Sequence, residues 1–485
     1  MPDLYPLHRF RYWTVLSLLV LSGGLAAQPA DTLELERFLD LAVEQALGRQ
    51  AAERDLRVAQ LNYGVFRASL LPQISGSANF PNYSRTFGEI TQPDGTVRFQ
   101  PVRNNNSALG LNLSQAIPGT GGVLFVQSSL QRFDDLASDF YLYNGLPFRV
   151  GLLQPIFAFN PIKWDRRIEP LLVTEAEKQY VVDKELVRAT ATQLYFDLLL
   201  AEQEYGIAST NLTANERLYT IAQERYELGK ISRRDLVQLE LEKISAERAR
   251  LRAEQSVSEA SAAVATYLGL DPQSNAFVPA VPPTSGEHLI TEGQALDWAR
   301  TNRPEWTAFT RRRLEADRAV DQARKTDGPQ LDLTASVGRV RSSSDLAEIY
   351  QDALPEEFVQ LRLSLPIVDW GQRRKRMQIA QAELEYTSMA VEREALSLEN
   401  AVRQTVRDFQ TLQQELEMAQ RVQELSEERF RITTESYVLG ATPLAELTLA
   451  QREKDQAVRA YISTLRAYWT AYADLRQLTL RGDRF

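Results

Sequence analysis

The chain is a copy of itself, and that fact limits its fold more than any other. Tyr226-Glu227-Leu228-Gly229 returns 211 positions later as Tyr437-Val438-Leu439-Gly440, and at that spacing nine of the 24 residues from 226 to 249 are identical, Glu242-Lys243 and Glu453-Lys454 among them. The same spacing relates Pro155-Ile156 to Pro366-Ile367, whereas Pro72-Gln73 meets its counterpart Pro329-Gln330 only after 257 positions. The first half therefore carries 46 additional residues (257 less 211) between Pro72 and Pro155. Two copies of one structural unit explain this better than two unrelated domains.

The units read as 28–268 and 291–485, joined by an irregular linker, 269–290, marked by Pro272, Pro279, Pro282, Pro283 and Gly286. In the first unit a helix over about 33–70 leads to a β-type region over 73–157, a long helix over 161–227 and a last helix over 232–268. In the second the order is helix 292–326, β region 330–368, long helix 371–438 and helix 443–478. A helix as long as 161–227 rises about 100 Å, beyond any single globular core, so it needs neighbours along its whole length.

The heptad pattern supplies them. Leu198, Tyr205, Leu212, Tyr219 and Tyr226 recur every seven residues, facing the mostly small Leu194, Ala201, Ala208, Asn215 and Ala222. In the second unit Phe409, Leu416, Gln423, Phe430 and Tyr437 occupy the same stripe. An average step of 3.5 is the coiled-coil period. Four prolines, Pro72, Pro155, Pro329 and Pro366, mark the helix–strand crossings, where they block helix continuation. Asn160-Pro161 reads as an N-cap with proline at the first helical position.

The β regions alternate, as in Ser107–Gln115 and Phe358–Leu365. Alternation suits an outer-membrane barrel strand and a half-buried soluble strand equally. Aromatics favour the membrane: residues 80–164 hold 13 in 85 positions against 9% overall, as interfacial girdles do. Residues 1–27 read as a secretory signal, with Arg9 and Arg11 before the apolar run Trp13–Leu21 and small residues at Gly23, Gly24, Ala26 and Ala27.

Composition removes several functions. With no cysteine, thiol nucleophiles and Cys-ligated metals have no residues to build from, and with only His8 and His288, Ser-His-Asp triads and two-His zinc sites are nearly excluded. A formal charge of −9 argues against binding nucleic acid. No pair of carboxylates can be assigned acid and base roles from spacing. No enzyme, cofactor or metal site is expected.

Signal, duplication, proline crossings and the two Tyr-x-x-Gly tips together make the chain resemble the TolC-type outer-membrane efflux proteins over nearly all of 28–485. The resemblance implies an α+β, mostly α, fold. It implies a homotrimer that builds a 12-stranded barrel in outer-membrane lipid, four strands per chain, continued by a long periplasmic helical tunnel. It implies the exit duct of an efflux or type I secretion system, docked to a periplasmic adaptor and an inner-membrane transporter and gated at the helix-hairpin tips. By motif position, Glu446 would line the constriction, and Tyr437 would hydrogen-bond Asp235 of a neighbouring hairpin. Thr442 stands where the family places a basic residue and Leu449 where it places a second acid; Arg233 and Arg234 could reach toward Glu446 instead. Leu228, Gly229, Arg233, Leu439, Gly440 and Leu447 would form the adaptor-docking tips. The competing reading is a periplasmic coiled-coil scaffold or adaptor without a pore. That reading leaves the aromatic strands and the second hairpin unexplained.

Overall fold

The computed structural model describes residues 32–271, 277–283, 290–439 and 441–481. The expected signal, His8, His288, part of the linker (Pro272 and Gly286 included) and the tip residue Gly440 lie outside the described residues.

The elements run β1 (Thr32–Leu33), α1 (Leu35–Gln45), α2 (Leu47–Ser69), β2 (Gln73–Asn79), β3 (Tyr83–Thr91), β4 (Val97–Ile117), β5 (Gly122–Asp135), β6 (Phe140–Pro155), α3 (Pro161–Glu227) and α4 (Arg233–Leu268). The second half continues with β7 (Val278–Pro279), α5 (Glu292–Asn302), α6 (Pro304–Thr326), β8 (Gln330–Ser343), α7 (Leu346–Gln351), β9 (Leu354–Ser364), α8 (Gln372–Val438) and α9 (Leu444–Thr479). Both long helices span 67 residues. Among the described residues no helix is long and apolar enough to cross a membrane.

Two differences from the expected layout stand out. The helix anticipated over 292–326 is broken at Arg303, whose backbone is extended (φ −72°, ψ 140°), because Pro304 disfavours a helical residue before it. Its counterpart 257 positions earlier, Ala46, is extended as well (φ −61°, ψ 138°), so the first helix also divides in two. No proline explains that break.

The second difference is a correction to the strand count. The resemblance implies four strands per chain, but one sheet here holds seven, in the order β2-β4-β5-β6-β8-β9 with β3 also on β4. β2 pairs with Ala108–Ser114 of β4 and β3 with Val97–Asn105, so these two lie end to end and the sheet has six lanes. Every neighbouring pair is antiparallel. Because β2 starts after Pro72 and β6 ends at Pro155, the 46 additional residues of the first half are the two extra lanes, essentially β4 and β5.

The helices pack as the heptads require. α3 with α4 and α8 with α9 form two antiparallel hairpins, and α9 crosses to α3. Their main core draws on both halves: Phe38, Tyr195, Phe196, Leu198 and Leu199 meet Val402, Val406, Phe409, Leu465 and Tyr468. Tyr195 is fully buried, and its single hydroxyl proton is shared between the carbonyls of Leu33 (2.7 Å) and Ala280 (2.6 Å). One phenol thus ties α3 to the two-stranded β1–β7 pair.

Candidate functional site

The sheet has two unlike faces, and register fixes which residues share each. On one face, Ile74, Leu109, Leu111, Leu113, Leu124, Val126, Val150, Leu152, Leu333, Val337, Leu361 and Leu363 stand side by side across all six lanes. Many are exposed, with Ile74 at 73% and Leu361 at 62%. On the other face stand Ser75, Ser77, Asn112, Ser114, Gln127, Ser129, Gln131, Thr334, Ser336, Gln360 and Arg362. This polar face is laced across the strands. Ser342 Oγ donates to Asn144 Oδ1 (2.6 Å), Asn144 Nδ2 to Gln131 Oε1 (3.2 Å), and Gln131 Nε2 to Asn106 Oδ1 (2.5 Å). Arg149 reaches over Gly338 to Glu356 on β9, with Nη2–Oε2 at 2.5 Å. The amide chain and the Arg149–Glu356 bridge escaped sequence reading; the alternation of Gln127, Ser129 and Gln131 was the available signal.

The helices continue this wall. Near the sheet the lateral order is α2–α3–α6–α8, and toward the tips it is α4–α3–α9–α8. Ion pairs stitch these lanes: Arg311 with Glu175, Arg312 with Glu394, Arg476 with Glu185 and Arg459 with Glu204. A polar pin sets the α3–α9 register, where Asn211 Nδ2 donates to the buried Asp455 (2.6 Å) and Gln451 Nε2 donates to Asn211 Oδ1 (2.6 Å). One flank of the wall is therefore α2, α4 and the β2/β3 edge; the other is α8 and the β9 edge. Each flank bears exposed apolar residues at coiled-coil spacing: Leu241, Ile244 and Leu251 on α4, and Met418, Leu425 and Ile432 on α8.

The tips hold the anticipated gate residues. Leu228 closes α3 and is exposed, and Gly229 follows at φ +68°, where a side chain would be strained. Ser232 and Asp235 form a reciprocal capping box at the start of α4: Asp235 N donates to Ser232 Oγ (3.2 Å) and Ser232 N to Asp235 Oδ2 (3.4 Å), and the Ser232 hydroxyl also donates to Asp235 Oδ2 (2.7 Å). That hydroxyl holds the Asp235 carboxyl below the ordinary carboxylate range, so it stays ionised. Arg234 pairs with Asp235 at 3.5 Å, and the Arg233 guanidinium lies 6.0 Å from the Tyr226 ring centre. Within one chain both arginines thus lean on their own hairpin. On the second tip Leu439 and Glu446 are exposed, Tyr437 and Thr442 half-buried, and Leu447 buried. Glu446 belongs to the first turn of α9, where an acid suits the helix dipole.

The "Outer membrane efflux protein" family profile matches residues 295–479, within the second repeat. Protein CyaE of Bordetella pertussis (strain Tohama I) is 26% identical over 299 residues, which cover 60% of this chain and 62% of that protein. The chain thus matches a little under two thirds of that relative's length. Among solved structures, the Campylobacter jejuni CmeC outer membrane channel aligns with a TM-score of 0.67 at 18% identity, over 92% of this chain and 85% of CmeC. The open-state MtrE outer membrane channel of Neisseria gonorrhoeae aligns with a TM-score of 0.64 at 19% identity, over 92% and 88%. The fold is that of outer-membrane channels with a long helical domain. Residues 295–479 thus match the profile of outer membrane efflux proteins, and the chain as a whole shares the fold of outer-membrane channels.

Proposed function

We propose that three copies of this chain close into a continuous channel, the exit duct of an efflux or type I secretion assembly. Substrates would pass through it from a periplasmic adaptor and an inner-membrane transporter to the outside. The observation that carries the reading is the two-faced sheet with two open edges, continuous with long helices whose flanks carry unpartnered apolar stripes. Unpaired strand edges cannot stand in lipid, so the sheet has to close. The apolar face meets lipid, and the polar face lines a water-filled bore. One flank differs from the other, so the contact is head-to-tail and its closed form is a ring.

The tips are the proposed gate. Glu446 carboxylates repeated around the axis would attract cations, and Tyr437 would bond Asp235 of a neighbouring hairpin to hold the bore shut. Exposed Leu228 and Leu439 would meet the adaptor, with Gly229, Arg233, Gly440 and Leu447 the other residues assigned to the docking tips by their motif positions. The test is recording purified protein in planar bilayers after outer-membrane fractionation. Discrete channels are expected, with Glu446→Gln lowering the preference for cations. Unchanged selectivity removes Glu446 from the constriction, and a silent bilayer with soluble protein would favour the pore-free scaffold.

A further inference from the structure

We infer that the membrane barrel has eighteen strands, six from each subunit, because the 46 additional residues of the first repeat are built into its wall. The inference rests on the three-copy channel proposed above and goes beyond it by changing the size of the outlet.

Three observations place the additional lanes in the wall. First, the ladder is unbroken across them: β4 pairs with β5 from Asn104↔Asp135 to Ile117↔Gly122, and β5 goes on pairing with β6. Second, the apolar face runs on through them, Leu109, Leu111 and Leu113 on β4 beside Leu124, Val126 and Leu130 on β5, with Ser128 and Gln115 the polar residues among them. A hairpin folded into the bore or lying above the membrane has no use for such a face. Third, the turn between β4 and β5 is anchored at the helix–strand crossing. Asn160 Nδ2, at the start of α3, donates to Pro118 O (2.9 Å), and Gln115 Nε2 donates to Leu70 O at the end of α2 (2.8 Å). The hairpin therefore starts at the same level as its neighbours.

Closure and dimensions agree. Six alternating lanes leave β2/β3 and β9 running in opposite directions, so β9 of one subunit can join β2 of the next antiparallel, as all the pairs within this sheet do. Six strands 4.8 Å apart and tilted 40° occupy about 38 Å of circumference. The four helix lanes beneath them, about 9 Å apart, occupy about 36 Å. Four strands would cover only about 25 Å and would force the helices to converge. Eighteen strands give a backbone diameter of about 36 Å, against about 24 Å for twelve. The outlet is then a wide pore lined mainly by amides and hydroxyls.

The chain has no cysteine, so single pairs can be introduced into the full-length protein. Ser75→Cys, on the polar face of β2, is combined in turn with Phe358→Cys, Gln360→Cys, Arg362→Cys or Ser364→Cys on the same face of β9. Oxidation in isolated outer membranes is expected to give covalent dimers and trimers for at least one pair. Only monomers across the whole scan, internally linked or unlinked, would overturn the edge pairing. Leu111→Cys, Val126→Cys, Asn112→Cys and Gln127→Cys are labelled separately with a small fluorophore in proteoliposomes. Nitroxide-bearing lipid is expected to quench the first two, and aqueous iodide the last two. If iodide quenches all four while the protein remains a trimeric channel, the hairpin lies outside the wall. The eighteen-strand barrel then falls and the channel reading stands. If the protein is instead monomeric and silent in bilayers, the channel reading falls with it.

Discussion

Single residues hold this structure at places where an unpaired polar group would be costly. Burial pushes the Tyr195 phenol from an ordinary 10 up to about 12. A pKa raised in the folded state means its stabilising contribution is complete below pH 10 and is lost as pH rises toward 12. Tyr195→Phe removes the hydroxyl proton shared by the two carbonyls and is expected to cost about 1 kcal/mol in denaturant unfolding at neutral pH. Between pH 10 and 12 its stability should fall less steeply than that of the parent; an identical slope would clear Tyr195 of the effect. Asp235 has two jobs to separate, because it caps α4 as well as standing at the proposed gate. Tyr437→Phe with Asp235→Ala is expected to raise resting conductance. Ser232→Ala, which breaks the box at about 1 kcal/mol and leaves the carboxylate, is not. Equal conductance in both variants would assign the effect to the cap.

At the scale of elements, α7 shows how the outer loop of the second repeat is fixed. Ile349 is fully buried against Gly145 of β6, and a Cβ added at Gly145 would come within 2.0 Å of Ile349 Cγ2. Arg341 reinforces the contact by pairing with Glu348 at 3.4 Å. Gly145→Ala should push α7 off the sheet and expose residues 344–353 to limited proteolysis. Ile349→Ala alone should cost about 2–5 kcal/mol. Combined with Gly145→Ala it should cost less than the sum, since the methyl fills the space vacated. Strict additivity would mean that the two side chains do not meet. The long helices depend on neighbours in another way. Their heptads bury Leu198, Phe409 and Leu416 inside the chain but leave Met418, Leu425 and Ile432 open, so α8 is only half partnered.

The whole molecule is an open wall. Its fold departs from a globule because both ends of the lateral order, α2/α4 with β2/β3 and α8 with β9, are left uncovered within the chain. The duplication accounts for the shared plan: each half contributes a broken short helix, strands, a 67-residue helix and a 36-residue helix. It does not make the halves equal, since four of the six lanes come from the first and two from the second. Removing the flank contacts should convert the assembly to monomers. Met418→Glu with Leu425→Glu on α8 is the direct variant, and its mass in detergent is the measurement. A trimer that survives both charges would place the subunit contact elsewhere.

Much of this was written in the amino-acid order. Repetition at a fixed spacing, seven-residue steps and prolines at the crossings are local signals, since each depends on residues a few positions apart or on direct comparison of two segments. They determined by themselves a duplicated, elongated, strand-and-helix chain with Pro161 opening a helix that ends near Gly229. The break at Ala46 left no such mark, because no proline stands there. The destination of the 46 additional residues, the amide chain from Asn106 to Ser342 and the Asn211–Asp455 pin were likewise decided only in three dimensions. Alternation says that a strand has two faces, but not which strand lies beside it. Pairing partners hundreds of residues apart are chosen by the energy of the closed ladder and the packed helices, a property of the whole arrangement.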